Sequence, residues 1–233
     1  MLMGPQNLPE RIHAVLGQVT RAAAAAGRSA QSVTLLAIGK AQAPQTLAEA
    51  ARCGLKDFGE SYLQEALPKL AALRGLPLTW HFVGRVQTNK TRAIAENFAW
   101  VHALDSVKVA QRLAAQRPFH APPLHVCLQV NLAAEATKGG VAPAALPALA
   151  AAVALLPRLQ LRGLMCIPPE ETQPARQRAW FAQLRALRDE LNAGGLQLDT
   201  LSMGMSADFE AAIAEGSTIV RIGTALFGAR PLQ

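Results

Sequence analysis

Eight short runs of β-branched and apolar residues recur along this chain, with segments of helical periodicity between them. That alternation constrains the fold more than any other feature. The runs are VTLLAIG (33–39), KDFGE (56–60), TWHFVG (79–84), WVHAL (100–104), HVCLQVN (125–131), LRGLMCIP (161–168), LDTLSMG (198–204) and TIVRIG (218–223). Helical periodicity covers 44–52, 62–73, 106–116 and 174–192, and the alanine-rich stretch 142–154 is a good helix former. Strands that alternate with helices pair in parallel through right-handed crossovers. Eight such units in 233 residues match the lower size limit of a (β/α)8 barrel, and with no spare segment closure is favoured over an open doubly wound sheet. The predicted fold is therefore α/β, a single-domain (β/α)8 TIM barrel over residues 1–233, with an extra amphipathic N-terminal helix at about 8–26.

Composition removes several classes of function. Hydrophobic residues make up 51% and charged residues 17%, which suits a folded globule rather than a disordered chain. No apolar run reaches the roughly 20 residues that span a bilayer, and MLMGPQNLPERIHAV lacks a basic region followed by an apolar one, so no signal peptide is expected. Cys53, Cys127 and Cys166 are odd in number and far apart, which fits neither a zinc site nor a disulfide framework and implies a reducing, cytoplasmic setting. The net charge of +7 raises the question of nucleic acid. The arginines are scattered, however, and the densest group, Arg176, Arg178, Arg185 and Arg188, follows helical spacing. Aromatics are only 5% and do not interleave with the cations, so no nucleic-acid partner is expected and the charge favours small anions. No His, Cys and carboxylate cluster has metal-ligand spacing.

In a barrel of this kind the active site lies at the carboxyl ends of the strands, and phosphate sites form after strands seven and eight. The first run exits into Lys40, one of only six lysines against seventeen arginines. An amine partly withdrawn from water becomes a nucleophile towards carbonyls. Such a lysine serves either an aldolase-type site or one that holds pyridoxal phosphate (PLP). A phosphate site would decide between them. In LSMGMSADFEAAIAEG, Ser206 is predicted to cap a helix, and Gly223 with Thr224 follows the eighth strand with backbone and hydroxyl donors. His81 points either into the barrel or at a ligand, and Asn131 either orients a ligand hydroxyl or caps the fifth strand. Tyr62, at the start of the second helical unit, reads as helix packing.

These residues resemble the pyridoxal-phosphate homeostasis family, whose barrel is similar to the N-terminal domain of alanine racemase. The likeness runs through LLAIGK, DFGESYLQEALPKL, WHFVGRVQTNK, HALDSVKVAQRL, QVNLAAEATKGGV, LRGLMCIP and the long block LSMGMSADFEAAIAEGSTIVRIGTALFGAR. It implies that Lys40 forms a Schiff base with pyridoxal 5'-phosphate, and that Ser202, Met203, Ser206, Gly223 and Thr224 lie in the blocks that hold the phosphate. It further implies that Arg221 faces the pyridine nitrogen, and that Ser61, His81, Asn131 and Met165 belong to the cofactor-binding set. The chain departs from the family at Ala41–Gln42, where relatives often carry a hydroxyl and a second lysine. It departs again at Ser61, in place of asparagine, and at Cys166, in place of threonine.

Arg221 carries a chemical consequence of its own. A guanidinium cannot accept the proton that a carboxylate would share with the ring, so the ring nitrogen stays neutral and the ring is a weak electron sink. Racemisation needs groups on both faces of the substrate carbon. In racemases the second group is a tyrosine from a further domain, and this chain is expected to lack that domain. The expected role is therefore storage, buffering or delivery of PLP without robust catalysis, with apo PLP-dependent enzymes as recipients and no membrane partner. The chain itself is expected to be a monomer or weak dimer. The alternative is a PLP-dependent amino-acid racemase or lyase of low activity.

Overall fold

The computed structural model describes residues 7–135 and 138–228. Eight parallel strands close a barrel in chain order: β1 (Thr34–Ile38), β2 (Asp57–Glu60), β3 (Thr79–Phe82), β4 (Trp100–Leu104), β5 (Leu124–Gln129), β6 (Leu159–Met165), β7 (Thr200–Ser202) and β8 (Ile219–Ile222). Closure is made by β8 returning to β1, with Thr34 opposite Ile219 and Ala37 opposite Ile222. All but β5 and β6 fall wholly within their predicted runs. Those two begin one and two residues early, at Leu124 and Leu159.

The outer layer consists of α1 (Leu8–Ala25), α2 (Pro44–Arg52), α3 (Leu63–Ala72), α4 (Thr91–Asn97), α5 (Val107–Gln116), α6 (Leu146–Ala154), α7 (Pro174–Ala193), α8 (Phe209–Ala214) and α9 (Thr224–Phe227). The extra helix α1 starts at a capping box: the Asn7 side chain accepts from the Glu10 N–H, and the Glu10 carboxylate accepts from the Asn7 N–H. It buries the stripe Leu8, Ile12, Val15, Val19 and Ala23 and packs on α8, α9 and α2. No helix among the described residues is long and apolar enough to cross a membrane.

One predicted helix start is corrected. The sequence predicts Ser206 as the cap of α8, but residues 206–208 form a turn and the helix begins at Phe209 with Asp208 at the cap position. The Asp208 carboxylate accepts the Met205 N–H at 2.6 Å, which folds the chain back for one more turn before the helix starts. Ser206 is thereby left beside α9, where its Oγ accepts from the Ala225 N–H at 3.5 Å.

The main apolar core lies between sheet and helices, around Leu47, Phe58, Phe82, Phe98, Leu113, Leu128 and Phe181. Inside the barrel the apolar filling is much smaller, a cluster of Ala103, Cys127 and Met165 with Trp100 against it. Buried polar side chains, His81, His102, Ser202 and Arg221, take the place that stacked Val, Ile and Leu fill in most barrels of this type. Arg221, on β8, belongs to this polar interior.

Tight strand packing gives a stability test. A Cβ added to Gly163 on β6 would lie 1.7 Å from the Thr200 carbonyl oxygen of β7, whereas one added to Gly75 would meet nothing within 4 Å. Gly163→Ala is expected to lower the unfolding free energy by roughly 3 kcal/mol or more. Gly75→Ala is expected to stay within about 0.5 kcal/mol, with urea denaturation as the measurement.

Candidate functional site

Lys40 sits two residues past the end of β1, in a loop that the protein holds from beneath. The Lys69 ammonium of α3 donates to the Gly39 carbonyl at 2.7 Å, to Glu60 Oε1 at 2.9 Å and to Glu65 Oε1 at 2.6 Å. Glu65 in turn accepts the Ala41 N–H at 2.5 Å, which fixes a non-glycine residue at φ 61°. A Cβ on Gly39 would lie 2.6 Å from Glu60 Oε1, so glycine is required for the buried carboxylate to pass under the loop. Burial raises the Glu60 pKa above its ordinary value while the Lys69 contact opposes it, and Glu60 Oε2 has no hydrogen-bond partner among the described residues.

Above the loop, the Lys40 amine donates to the Tyr62 hydroxyl at 3.3 Å and lies 4.7 Å from the centre of its ring. The sequence reading of Tyr62 as helix packing is corrected here. Its side chain is exposed and touches Lys40, because Tyr62 precedes the first turn of α3 with extended backbone (φ −124°, ψ 119°) instead of lying on the buried helix face.

On the other side, Ile38, Lys40, Gln42, Gly223, Thr224, Phe227 and Gly228 line one small pocket. Gly223 has a negative φ of −119°, and a Cβ there would make only ordinary contacts with Ile38 at 3.5 Å and beyond. Neither backbone nor packing requires glycine, so its missing side chain keeps room in the pocket that Lys40 lines. Beneath lies Arg221, buried in the barrel. Its Nη1 donates to the Ser202 carbonyl (2.6 Å) and Ser202 Oγ (3.0 Å), and its Nη2 to the Cys166 carbonyl (2.9 Å). No carboxylate pairs with it among the described residues, and its other N–H groups remain as donors. Lys40 and a glycine-lined turn with a hydroxyl thus share one pocket, and the Arg221 guanidinium is carried on β8 two residues before that turn. They fit an aldehyde, a phosphate and a ring nitrogen respectively.

A family model described as "Alanine racemase, N-terminal domain" matches residues 16–231. The pyridoxal phosphate homeostasis protein of Pseudomonas aeruginosa PAO1 is 58% identical over 224 residues, 96% of this chain and 96% of the relative. The chain belongs to the pyridoxal phosphate homeostasis protein family. The family member of Escherichia coli K12 is 45% identical over 227 residues, 96% of this chain and 97% of the relative. PipY of Synechococcus elongatus PCC7942, solved with PLP bound, aligns at a TM-score of 0.85 and 38% identity, covering 95% of this chain and all of PipY.

The residues that the family resemblance assigns to the cofactor separate into two groups. Lys40, Gly223 and Thr224 share one pocket, Ser206 adjoins α9, and Arg221 lies below. The Ser202 hydroxyl is corrected from the phosphate set: it is fully buried in the barrel between His102 and Arg221, because alternation along β7 turns it inward. His81 likewise has protein partners on both ring nitrogens, His102 and Asp57. Met165 packs in the barrel cluster and Met203 in the main core. Asn131 braces its own loop through the Glu135 N–H and carbonyl and the Lys138 carbonyl. Ser61 lines a neighbouring pocket with Tyr62, Arg85 and Lys90. His102 and Asp57, which join this network, carry no distinguishing signal in the sequence. The Glu65–Lys69 pair had one, its i,i+4 spacing on α3.

Burial depresses the proton affinity of His81, with Asp57 opposing, and that of His102 more strongly, with His81 and Arg221 adding to the effect. His125, beside Arg162, shifts the same way. The unfolded chain therefore binds protons near pH 6.5 that the folded chain refuses. The stability this confers is complete above that pH and is lost as pH falls below it, each histidine contributing up to about 1.4 kcal/mol per pH unit. Urea unfolding from pH 6.5 to 5.5 is expected to show the decline. A flat or rising profile would contradict neutral buried histidines.

Proposed function

We propose that this chain binds pyridoxal 5'-phosphate and serves its homeostasis, storing, buffering or delivering the cofactor. The observation that carries the reading is that Lys40 and the Gly223–Thr224 turn line one pocket. When bound, the cofactor supplies an aldehyde for a Schiff base with Lys40 and an electron-withdrawing ring. The chain's residues do the rest. The Lys69–Glu60–Glu65 clamp holds the lysine loop, and Tyr62 accepts from the amine. Thr224, Ser206 and the start of α9 supply donors for the phosphate. Arg221 offers N–H groups to the ring nitrogen and, as a permanent cation, keeps that nitrogen unprotonated. Apo PLP-dependent enzymes are the proposed recipients. The chain is proposed to act as one domain over 1–233, in the cytoplasm, as a monomer or weak dimer.

The rival reading, a racemase or lyase of low activity, finds one candidate acid/base group in Tyr62. That phenol touches Lys40 itself and so stands on the lysine's side of any substrate. No acid/base group for the opposite face is identified among the described residues.

Titration of the cofactor-free protein with PLP and with pyridoxal tests the reading. Thr224→Val and Ser206→Ala are each expected to weaken PLP by about one to two orders of magnitude, since a charge-assisted hydrogen bond contributes ~1.5–3 kcal/mol and 1.4 kcal/mol is tenfold. Pyridoxal should bind more weakly and respond little to either change. Equal affinity for the two compounds would sink the phosphate assignment. Rapid exchange of Cα deuterium from added amino acids would favour the enzyme.

A further inference from the structure

The inward faces of β2, β3, β4, β7 and β8 hold five polar side chains in unbroken contact. Arg221 Nη1 is 3.0 Å from Ser202 Oγ, Ser202 Oγ is 2.8 Å from His102 Nδ1, His102 Nε2 is 2.9 Å from His81 Nδ1, and His81 Nε2 is 3.1 Å from Asp57 Oδ1. Arg221, Ser202, His102 and His81 are buried, while the Asp57 side chain is 30% exposed. Asp57 is the first residue of β2, so the line runs from the amino ends of the strands to Arg221 near the carboxyl ends. The hydrophobic filling of an ordinary barrel needs none of this.

The chemistry of the two ends sets the direction of every bond. A guanidinium has no acceptor, so Ser202 Oγ accepts from Arg221. The Ser202 hydrogen then goes to His102 Nδ1, its other partner. A neutral imidazole that accepts at Nδ1 carries its proton on Nε2, so His102 donates to His81 Nδ1. By the same rule His81 carries its proton on Nε2 and donates to the Asp57 carboxylate, which accepts. Reversal fails at both ends, since the carboxylate has no proton to give and the guanidinium no lone pair to receive one.

We infer that Asp57, His81 and His102 are positioning residues for Arg221, acting through Ser202 in one hydrogen-bond chain whose donors all point away from the guanidinium. Each link polarises the next, and the chain joins a buried cation to a carboxylate at the far end of the barrel. It holds Ser202 Oγ as an acceptor and so fixes the plane of the guanidinium. The service of Arg221 to a cofactor ring rests on the proposed PLP site, whereas the chain itself does not.

Two measurements test the inference separately. In protein labelled with ¹⁵N-histidine and free of cofactor, long-range ¹H–¹⁵N spectra at neutral pH should show His81 and His102 as neutral Nε2–H tautomers. A ¹⁵N–¹⁵N coupling across the hydrogen bond should join His102 Nε2 to His81 Nδ1. An Nδ1–H tautomer or an imidazolium at either residue would overturn the chain. In the second measurement, His102→Phe keeps ring volume and removes both nitrogens, and Ser202→Ala removes one oxygen should the first variant fail to fold. Each is expected to weaken PLP and pyridoxal by the same factor, about tenfold, because the ring nitrogen is common to both ligands. Unchanged affinity in a folded variant would reduce the chain to a structural role. A loss confined to PLP after Ser202→Ala would return Ser202 to the phosphate and overturn the inference. Failure of the unaltered protein to bind PLP would refute the proposed cofactor site and leave the tautomer result standing.

Discussion

A cation buried in the barrel with no ion pair among the described residues is the constraint around which the interior is arranged. Arg221 is 5% exposed, and its hydrogen bonds go to two backbone carbonyls and a hydroxyl. Charge withdrawn from water is costly unless its hydrogen bonds are met, and here the strand ends of β6 and β7 meet three of them. The same cation disfavours protonation of His102, which burial already opposes. It does not ionise the thiols nearby. Burial pushes Cys127 and Cys166 up to about 12, against the opposing charge of Arg162 at Cys127 and of Arg221 at both. Desolvation outweighs a nearby charge at each of these groups.

The second half of the site depends on a different buried ion group. Lys69 bonds the Gly39 carbonyl and two carboxylates, and Glu65 takes the Ala41 N–H. The loop that presents Lys40 is therefore held on both sides of the lysine, while the Lys40 amine itself is met by Tyr62. The departure at Ala41, where relatives often carry a hydroxyl, does not loosen this arrangement, because the contact uses the backbone N–H. Rigid support beneath a reactive amine limits the geometries it can adopt, which suits reversible covalent holding of a ligand.

Much of this was legible in the sequence. Alternation of short apolar runs with helical segments predicted the strand order and closure, the exits of β1 and β8 pointed to Lys40, Gly223 and Thr224, and family likeness added Arg221. What the sequence concealed was partnership across strands. His81 and His102 lie on neighbouring strands, and their contact depends on the β3–β4 register, in which His81 faces Trp100. No local pattern encodes that. Ser202 had a usable signal: the alternation that buries Leu201 and Met203 on one side of the strand turns Ser202 to the other, towards the barrel. Family likeness weighed against that reading and placed it with the phosphate. Ser206 and Tyr62 were misread for a related reason, since a turn that gains one more bond moves a helix start and changes which side chain meets solvent.

The central claim is that Lys40 is the point at which the cofactor is held. Borohydride reduction of the PLP-loaded protein, followed by peptide mapping, tests it most directly. The account predicts a pyridoxyl group on the peptide containing Lys40, with Lys69 unlabelled because its ammonium is bound by two carboxylates and a carbonyl. A reducible adduct that persists in Lys40→Ala, or a label found on Lys69, Lys90 or Lys138 in the unaltered protein with Lys40 unlabelled, would contradict it.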